Sequence, residues 1–180
     1  MNGVFDEKKQ AAASSRIRFL ILLLILTVGF LLLFEIGNAS VLRITDQSTG
    51  EEYYSIHAGP SDILTYGWIH SFEHIPWTEQ YTILGNNNLL LKEIAIAGFG
   101  AGIPHNKGGK IKSKDGMIIM SEINEEYDEI NWIHSQTATD YIMLNDKVIL
   151  RGTDLPQHKA LNLKIEKRLK LWLVLKLKTN

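Results

Sequence analysis

The chain has 180 residues, 19 basic and 20 acidic side chains, a formal net charge of −1 and no cysteine. The missing cysteines remove any disulfide framework, thiolate metal site or cysteine nucleophile. The near-neutral charge gives no reason to expect a nucleic-acid partner.

Residues 1–16 form a short tail that includes Lys8, Lys9 and Arg16. From Phe19 to Phe34 the sequence FLILLLILTVGFLLLF holds no charge and one polar side chain, Thr27. A run apolar on every face suits neither water nor one side of a core. Counted from Ile17 to Ile36, with Arg18 snorkelling outward, it reaches the ~20 residues that a spanning helix needs. The basic residues before it place the N-terminus in the cytoplasm. The expected organisation is a cytoplasmic tail (1–16), a transmembrane anchor (17–36) and an extracytoplasmic domain (37–180). Export without cysteine suits a bacterial cell membrane, crossed once. A cleaved signal peptide is the competing reading, with Gly37 and Ala39 as the small residues before Ser40, although its apolar stretch normally runs only about 7–15 residues.

Beyond residue 40 the apolar pattern has period two, which predicts strands. Val41 to Ile44 and Tyr53 to Ile56 are short strands separated by the turn-rich Asp46 to Gly50. Ile63 to Phe72 follows, with Tyr66, Trp68, His70 and Phe72 on one face, and His70 therefore inward. After Pro76, Trp77, Glu79, Tyr81 and Ile83 share a face; Gly85 to Asn88 is a turn, and Leu89 to Ala97 is the third strand of an antiparallel meander. Gly98 to Gly116, with six glycines and little periodicity, is a long loop. An acidic run from Glu122 to Glu129 is read as solvated surface. Strands resume at Met117 to Met120, Tyr141 to Leu144 and Val148 to Leu150, with Asn145-Asp146 as a tight turn. The alternation from Leu169 to Lys178 predicts a closing strand, with an amphipathic surface helix as its rival. The predicted fold is all-β, an antiparallel sandwich or partly closed barrel behind one N-terminal transmembrane helix.

The densest polar group runs from Tyr66 to Glu79. His70, His74 and Glu79, with His105 or His134 completing the shell, are candidate ligands for a divalent metal. A structural hydrogen-bond network and recognition of a small ligand or partner are the alternatives. A nucleophile triad of His70, Ser71 and Glu73 is not expected, because adjacent strand residues point to opposite faces and no Gly-x-Ser-x-Gly elbow is present. The loop Gly98 to His105 matches neither the dinucleotide fingerprint nor a P-loop. Its glycines suit either a tight strand exit or a nest of backbone amides for an anion.

The pieces His70-Ser71-x-Glu73, Pro76-Trp77-x-Glu79-x-Tyr81 and Gly100-Ala101-Gly102-Ile103-Pro104 together resemble a small bacterial family of domains of unknown function, over roughly residues 53 to 151. Members of that family are often encoded beside TAXI-type TRAP transporters, tripartite uptake systems that pair a solute receptor with permease subunits. The family carries no established catalysis, so the resemblance implies a neighbourhood more than a mechanism, and no cofactor is expected beyond the candidate divalent metal. The expected function is a membrane-anchored accessory or binding domain of a solute uptake system. It would touch transporter subunits or a carboxylate-bearing solute through Trp68, His70, Ser71, Glu73, Trp77 and Glu79 on the hairpin and Gly100, Ala101, Gly102 and Pro104 on the loop. A His/Glu metal-binding module or metal-dependent enzyme is the second reading, and a purely structural envelope protein the third.

Overall fold

The computed structural model describes residues 15–30, 39–98, 100, 104, 107 and 109–168. The chain divides into a unit over 40–167 and a second unit made of the two terminal stretches. In the second unit, residues 15–30 form an α-helix whose side chains from 15 to 28 are all exposed, despite being almost entirely apolar beyond Arg18. Thr27, its one polar side chain beyond Arg18, donates its hydroxyl to the carbonyls of Leu23 at 3.0 Å and Leu24 at 2.9 Å. That side chain is thus satisfied without water.

Sixteen residues at 1.5 Å each extend ~24 Å, short of the ~30 Å hydrocarbon layer. Among the described residues no helix is long and apolar enough to cross a membrane. Positions 31–36 of the expected anchor and the cleavage-site residue Gly37 lie outside the described residues.

The domain over 40–167 is all-β. Its strands are β1 (Ala39–Asp46), β2 (Glu52–His57), β3 (Ile63–Ile69), β4 (Pro76–Ile83), β5 (Leu89–Ile96), β6 (Lys110–Lys114), β7 (Met117–Tyr127), β8 (Glu129–Ile133), β9 (Thr139–Leu144), β10 (Lys147–Arg151) and β11 (Ala160–Arg168). They form a four-stranded sheet, β2-β1-β11-β8, and a seven-stranded sheet, β10-β9-β3-β4-β5-β7-β6. Every described pairing is antiparallel. The predicted meander is β3-β4-β5.

Turn chemistry sets these registers. Leu144 pairs with Lys147 across Asn145-Asp146, both at positive φ (50° and 62°), the twist a two-residue hairpin requires. Asp115-Gly116 does the same at 51° and 77° and joins Lys114 to Met117. This second hairpin corrects the expected long loop: residues 110–114 are an edge strand whose five side chains are all exposed. Lysines on such an edge discourage further strand addition.

Both sheets contribute to one buried cluster. Leu42 and Ile44 of β1 and Leu161, Leu163 and Ile165 of β11 meet Leu64, Ile83, Leu91, Ile94 and Ile142 of the larger sheet. The chain passes between sheets at Asp128, where β7 ends and β8 begins. The acidic run lies on this crossing. Opposite Lys92 the register of β7 slips, with Glu122 and Asn124 at positive φ, so the strand bulges and turns away. Its carboxylates are partnered: Glu125 binds Lys107 at 2.9 Å, and Glu126 accepts from Asn86 and Asn88 at 2.7 Å.

Two further expectations are corrected. The strand holding Trp68 ends at Ile69, and residues 70–75 turn back, so Phe72 is 72% exposed and does not share the inward face. The last described strand is β11, at 160–168; the closing strand expected over 169–178 lies outside the described residues.

A candidate ligand-binding cleft between the sheets

Pleating places Tyr66 and Trp68 of β3 and Trp77, Glu79 and Tyr81 of β4 on the face turned toward the smaller sheet. Cross-strand pairing sets Trp68 beside Trp77 and Tyr66 beside Glu79. The rings form a column. Tyr66 and Trp68 lie 4.9 Å apart, Trp68 stacks on Trp77 at 5.3 Å, and Trp77 stacks on His70 at 5.9 Å. From the smaller sheet, Trp132 of β8 reaches within 5.5 Å of Tyr66. Between the two walls lies an open cleft of ≈ 470 Å³, floored by Tyr66, Glu79 and Thr139 and edged by His70, Ser71 and Ile133. That volume lies within the usual range of small-ligand sites.

Gly67 shows why β3 can sit centrally in this sheet. It points to the opposite face, where a β-carbon would stand 2.6 Å from the ring of Tyr141, its cross-strand partner. The tyrosine ring covers the glycine and leaves no room for a side chain.

The site's back wall is a closed hydrogen-bond chain around His134, which is 0% exposed. His134 Nε2 lies 3.0 Å from the carbonyl of Gly152. A carbonyl only accepts, so Nε2 carries the proton and Nδ1 is the acceptor. Nδ1 receives the Trp132 indole N–H at 3.2 Å and the Thr139 hydroxyl at 3.3 Å. Thr139, its proton committed to His134, accepts from the Tyr66 hydroxyl at 3.2 Å. One buried, neutral imidazole therefore fixes a residue from each wall of the cleft. Burial pushes its pKa below the ordinary value, the Gly152 carbonyl acting weakly the other way. Burial likewise pushes the Tyr66 hydroxyl up to about 12.

Glu79 is the cleft's one described carboxylate. Trp77 donates its indole N–H to Oε1 at 3.2 Å, and the Tyr81 hydroxyl donates to Oε2. Burial raises the Glu79 pKa, more than these donors and the distant Lys107 lower it. Burial and the Glu79 charge also push the Tyr81 hydroxyl upward.

The anticipated residues divide into two groups. Trp68, His70, Ser71, Trp77 and Glu79 come together in the cleft. Glu73 belongs to a neighbouring feature. Its backbone N–H donates to His70 Nδ1 at 3.2 Å, while its carboxylate sits where a side chain on Gly100 would stand, 2.2 Å from the ideal β-carbon. Gly98 packs likewise against Ile75. Gly98 and Gly100 thus lie against the 70–75 turn, and the carboxylate at Gly100 is the chain's own Glu73. Ala101, Gly102 and His105 lie outside the described residues, and Pro104 is half-buried.

Of the candidate metal ligands, His74 is exposed on the turn at φ 54° and His105 lies outside the described residues; among the described residues no three His, Asp or Glu side chains group as metal ligands. Residues that the sequence reading did not assign to the site are Trp132, Ile130 and Thr139. Their signal was the alternation Ile130, Trp132, His134 after the acidic run, a strand pattern partly hidden by the bulge before it.

No curated protein and no solved structure matches this chain significantly. Residues 64–150, which run from β3 to β10 and hold both cleft walls, match the model of a protein family. That model is DUF1850, a domain of unknown function, and this stretch is similar to it.

Proposed function

We propose that this protein is a membrane-tethered binding module that serves a solute uptake system of the TRAP type, receiving a small solute in the cleft between its two sheets. The observation that carries the reading is the open aromatic cleft itself, ≈ 470 Å³ and lined by His70, Trp77 and Glu79 of the family-like motifs. A protein that only needed a filled core would bury Trp68 and Trp132 as it buries Tyr66 and Trp77, because each large aromatic left partly exposed forfeits apolar burial. Trp68 and Trp132 stay partly exposed on facing walls. Among the described residues, the one hydroxyl–imidazole pair at the cleft, Thr139 with His134, is buried, and its imidazole is already committed to Gly152 and Trp132, so binding is favoured over catalysis.

Tethering is supported by the helix over 15–30, whose apolar side chains are exposed and whose threonine is satisfied by its own backbone. The apolar sequence from Ile17 to Ile36 has the ~20 residues of a spanning segment, with the domain on the extracytoplasmic side. Solute uptake by cells lacking the chain, complemented with Trp68→Ala or Trp132→Ala, tests the reading. Both variants at normal protein level should fail to restore uptake. Full uptake by both would refute it, and transporter subunits co-purifying with the full-length chain would identify the partner.

A further inference from the structure

The charge of the cleft narrows its ligand. Among the described residues lining it there is one carboxylate, Glu79, and no lysine or arginine. Lys107, the basic group that acts on Glu79 from a distance, is paired with Glu125 at 2.9 Å and does not line the cleft. Trp77 and Tyr81 occupy two of the roughly four acceptor positions of the Glu79 carboxylate, so acceptor capacity remains.

The rest of the lining is mainly aromatic, and it comes from both sheets: Tyr66, Trp68 and Trp77 on one side, Trp132 on the other. Aromatic faces carry negative potential and attract cations, tryptophan most strongly. A carboxylate-bearing solute in this place would meet Glu79 with no described lysine or arginine to pair with it, and the one lining imidazole, His70, is stacked on Trp77 with its Nδ1 taken by the Glu73 N–H. A neutral apolar solute would leave a partly desolvated carboxylate uncompensated. Only a cation satisfies the rings and the carboxylate together.

We propose that the cleft binds a small organic cation, a quaternary or protonated ammonium group, held against Tyr66, Trp68 and Trp132 and neutralised by Glu79. This rests on the reading of the cleft as a solute site and replaces the expected carboxylate-bearing solute with one of opposite charge.

The test is titration calorimetry on the full-length protein in a neutral detergent. The probes are choline, its uncharged isostere 3,3-dimethylbutan-1-ol, phosphocholine and propionate. Choline should bind at least about tenfold more tightly than the isostere, a difference of about 1.4 kcal/mol. Glu79→Gln should erase that preference while changing the isostere's affinity by less than about twofold, and Trp132→Leu should weaken choline about tenfold or more. Glu79→Asp, which keeps the charge, should keep the preference for choline if the glutamine variant does not fold. Choline binding no tighter than the isostere, or unaffected by Glu79→Gln, overturns the proposal. Phosphocholine binding more tightly than choline would assign the site to a lipid headgroup in place of a free solute. If propionate or the isostere binds best and Trp132→Leu abolishes it, the cation assignment fails while the solute-site reading stands. No saturable binding of any probe removes both.

Discussion

His134→Leu isolates the group that ties the two walls of the cleft together. The imidazole makes three hydrogen bonds: its Nε2–H to the Gly152 carbonyl, and its Nδ1 from Trp132 and Thr139. Leucine fills similar space and makes none of them. The Trp132 N–H is half-buried beside an open cleft and can turn to water. The Gly152 and Thr139 bonds are buried. Two buried orphans at roughly 1–3 kcal/mol each predict a loss of about 2–6 kcal/mol. That is a large share of the 5–15 kcal/mol typical of a domain. With a urea slope of about 2 kcal/mol/M, the unfolding midpoint should fall by about 1–3 M.

Glutamine can present an N–H to Gly152 and an oxygen to the donors, so His134→Gln should recover part of the loss. Titration adds a second signature. The folded pKa of His134 is lowered, so below the ordinary value of 6.5 the unfolded chain takes up the proton first. Its contribution is therefore fully present above that value and is lost as the pH falls toward the folded pKa, with a slope of at most about 1.4 kcal/mol per pH unit. The gap between wild type and His134→Leu should narrow as pH falls from 7 through 6.5. Denaturation in urea, followed by tryptophan fluorescence across that range, reads both effects. A leucine variant within about 1 kcal/mol of wild type, or no better with glutamine than with leucine, would refute the role given to this network.

Other perturbations follow from the geometry of the same domain. Gly152→Ala places a β-carbon 2.1 Å from the Thr139 carbonyl oxygen, a backbone atom, and should cost about 3 kcal/mol in a thermal or urea melt. Gly85→Ala, with nothing within 4 Å, should stay within about 0.5 kcal/mol of wild type, and equal costs would show that the close approach is not real. Gly67→Ala should destabilise because the Tyr141 ring sits 2.6 Å from the new β-carbon, whereas adding Tyr141→Ala should make the second change cheaper than it is alone. Strict additivity in that double-mutant cycle would count against the packing. Glu79 has a folded pKa raised by burial, so native stability is lost as the pH rises above 4.5 through the folded value. Glu79→Gln should gain on wild type over that interval in the absence of ligand, and a difference flat with pH would contradict the burial cost.

Much of the fold was legible because its cause is local. Alternating side chains in β1 to β5, β9 and β10 announce which face is buried, and Asn145-Asp146 supplies the left-handed pair a two-residue hairpin needs. The Asp115-Gly116 hairpin was equally local but was masked by the glycines around it. The end of β3 was misjudged for another reason. Residues 70–75 alternate well enough to be strand, and only the turn's own bonds, His70 N–H to Ile75 O and His74 N–H to His70 O, both at 2.8 Å, decide against it.

The sequence alone determined the all-β class, the apolar N-terminal segment, the absence of cysteine chemistry and the crowding of Trp68, His70, Trp77 and Glu79 into one hairpin. These follow from composition and from period-two spacing, which act over neighbouring residues. The tertiary structure decided what that hairpin faces. Trp132 and His134 lie more than fifty residues further along the chain, past the β7 bulge and across the crossing at Asp128 into the second sheet. Their approach to Tyr66 and Thr139 depends on how two sheets pack. It is that packing which turned a cluster of polar and aromatic letters into a cleft with one carboxylate and two aromatic walls.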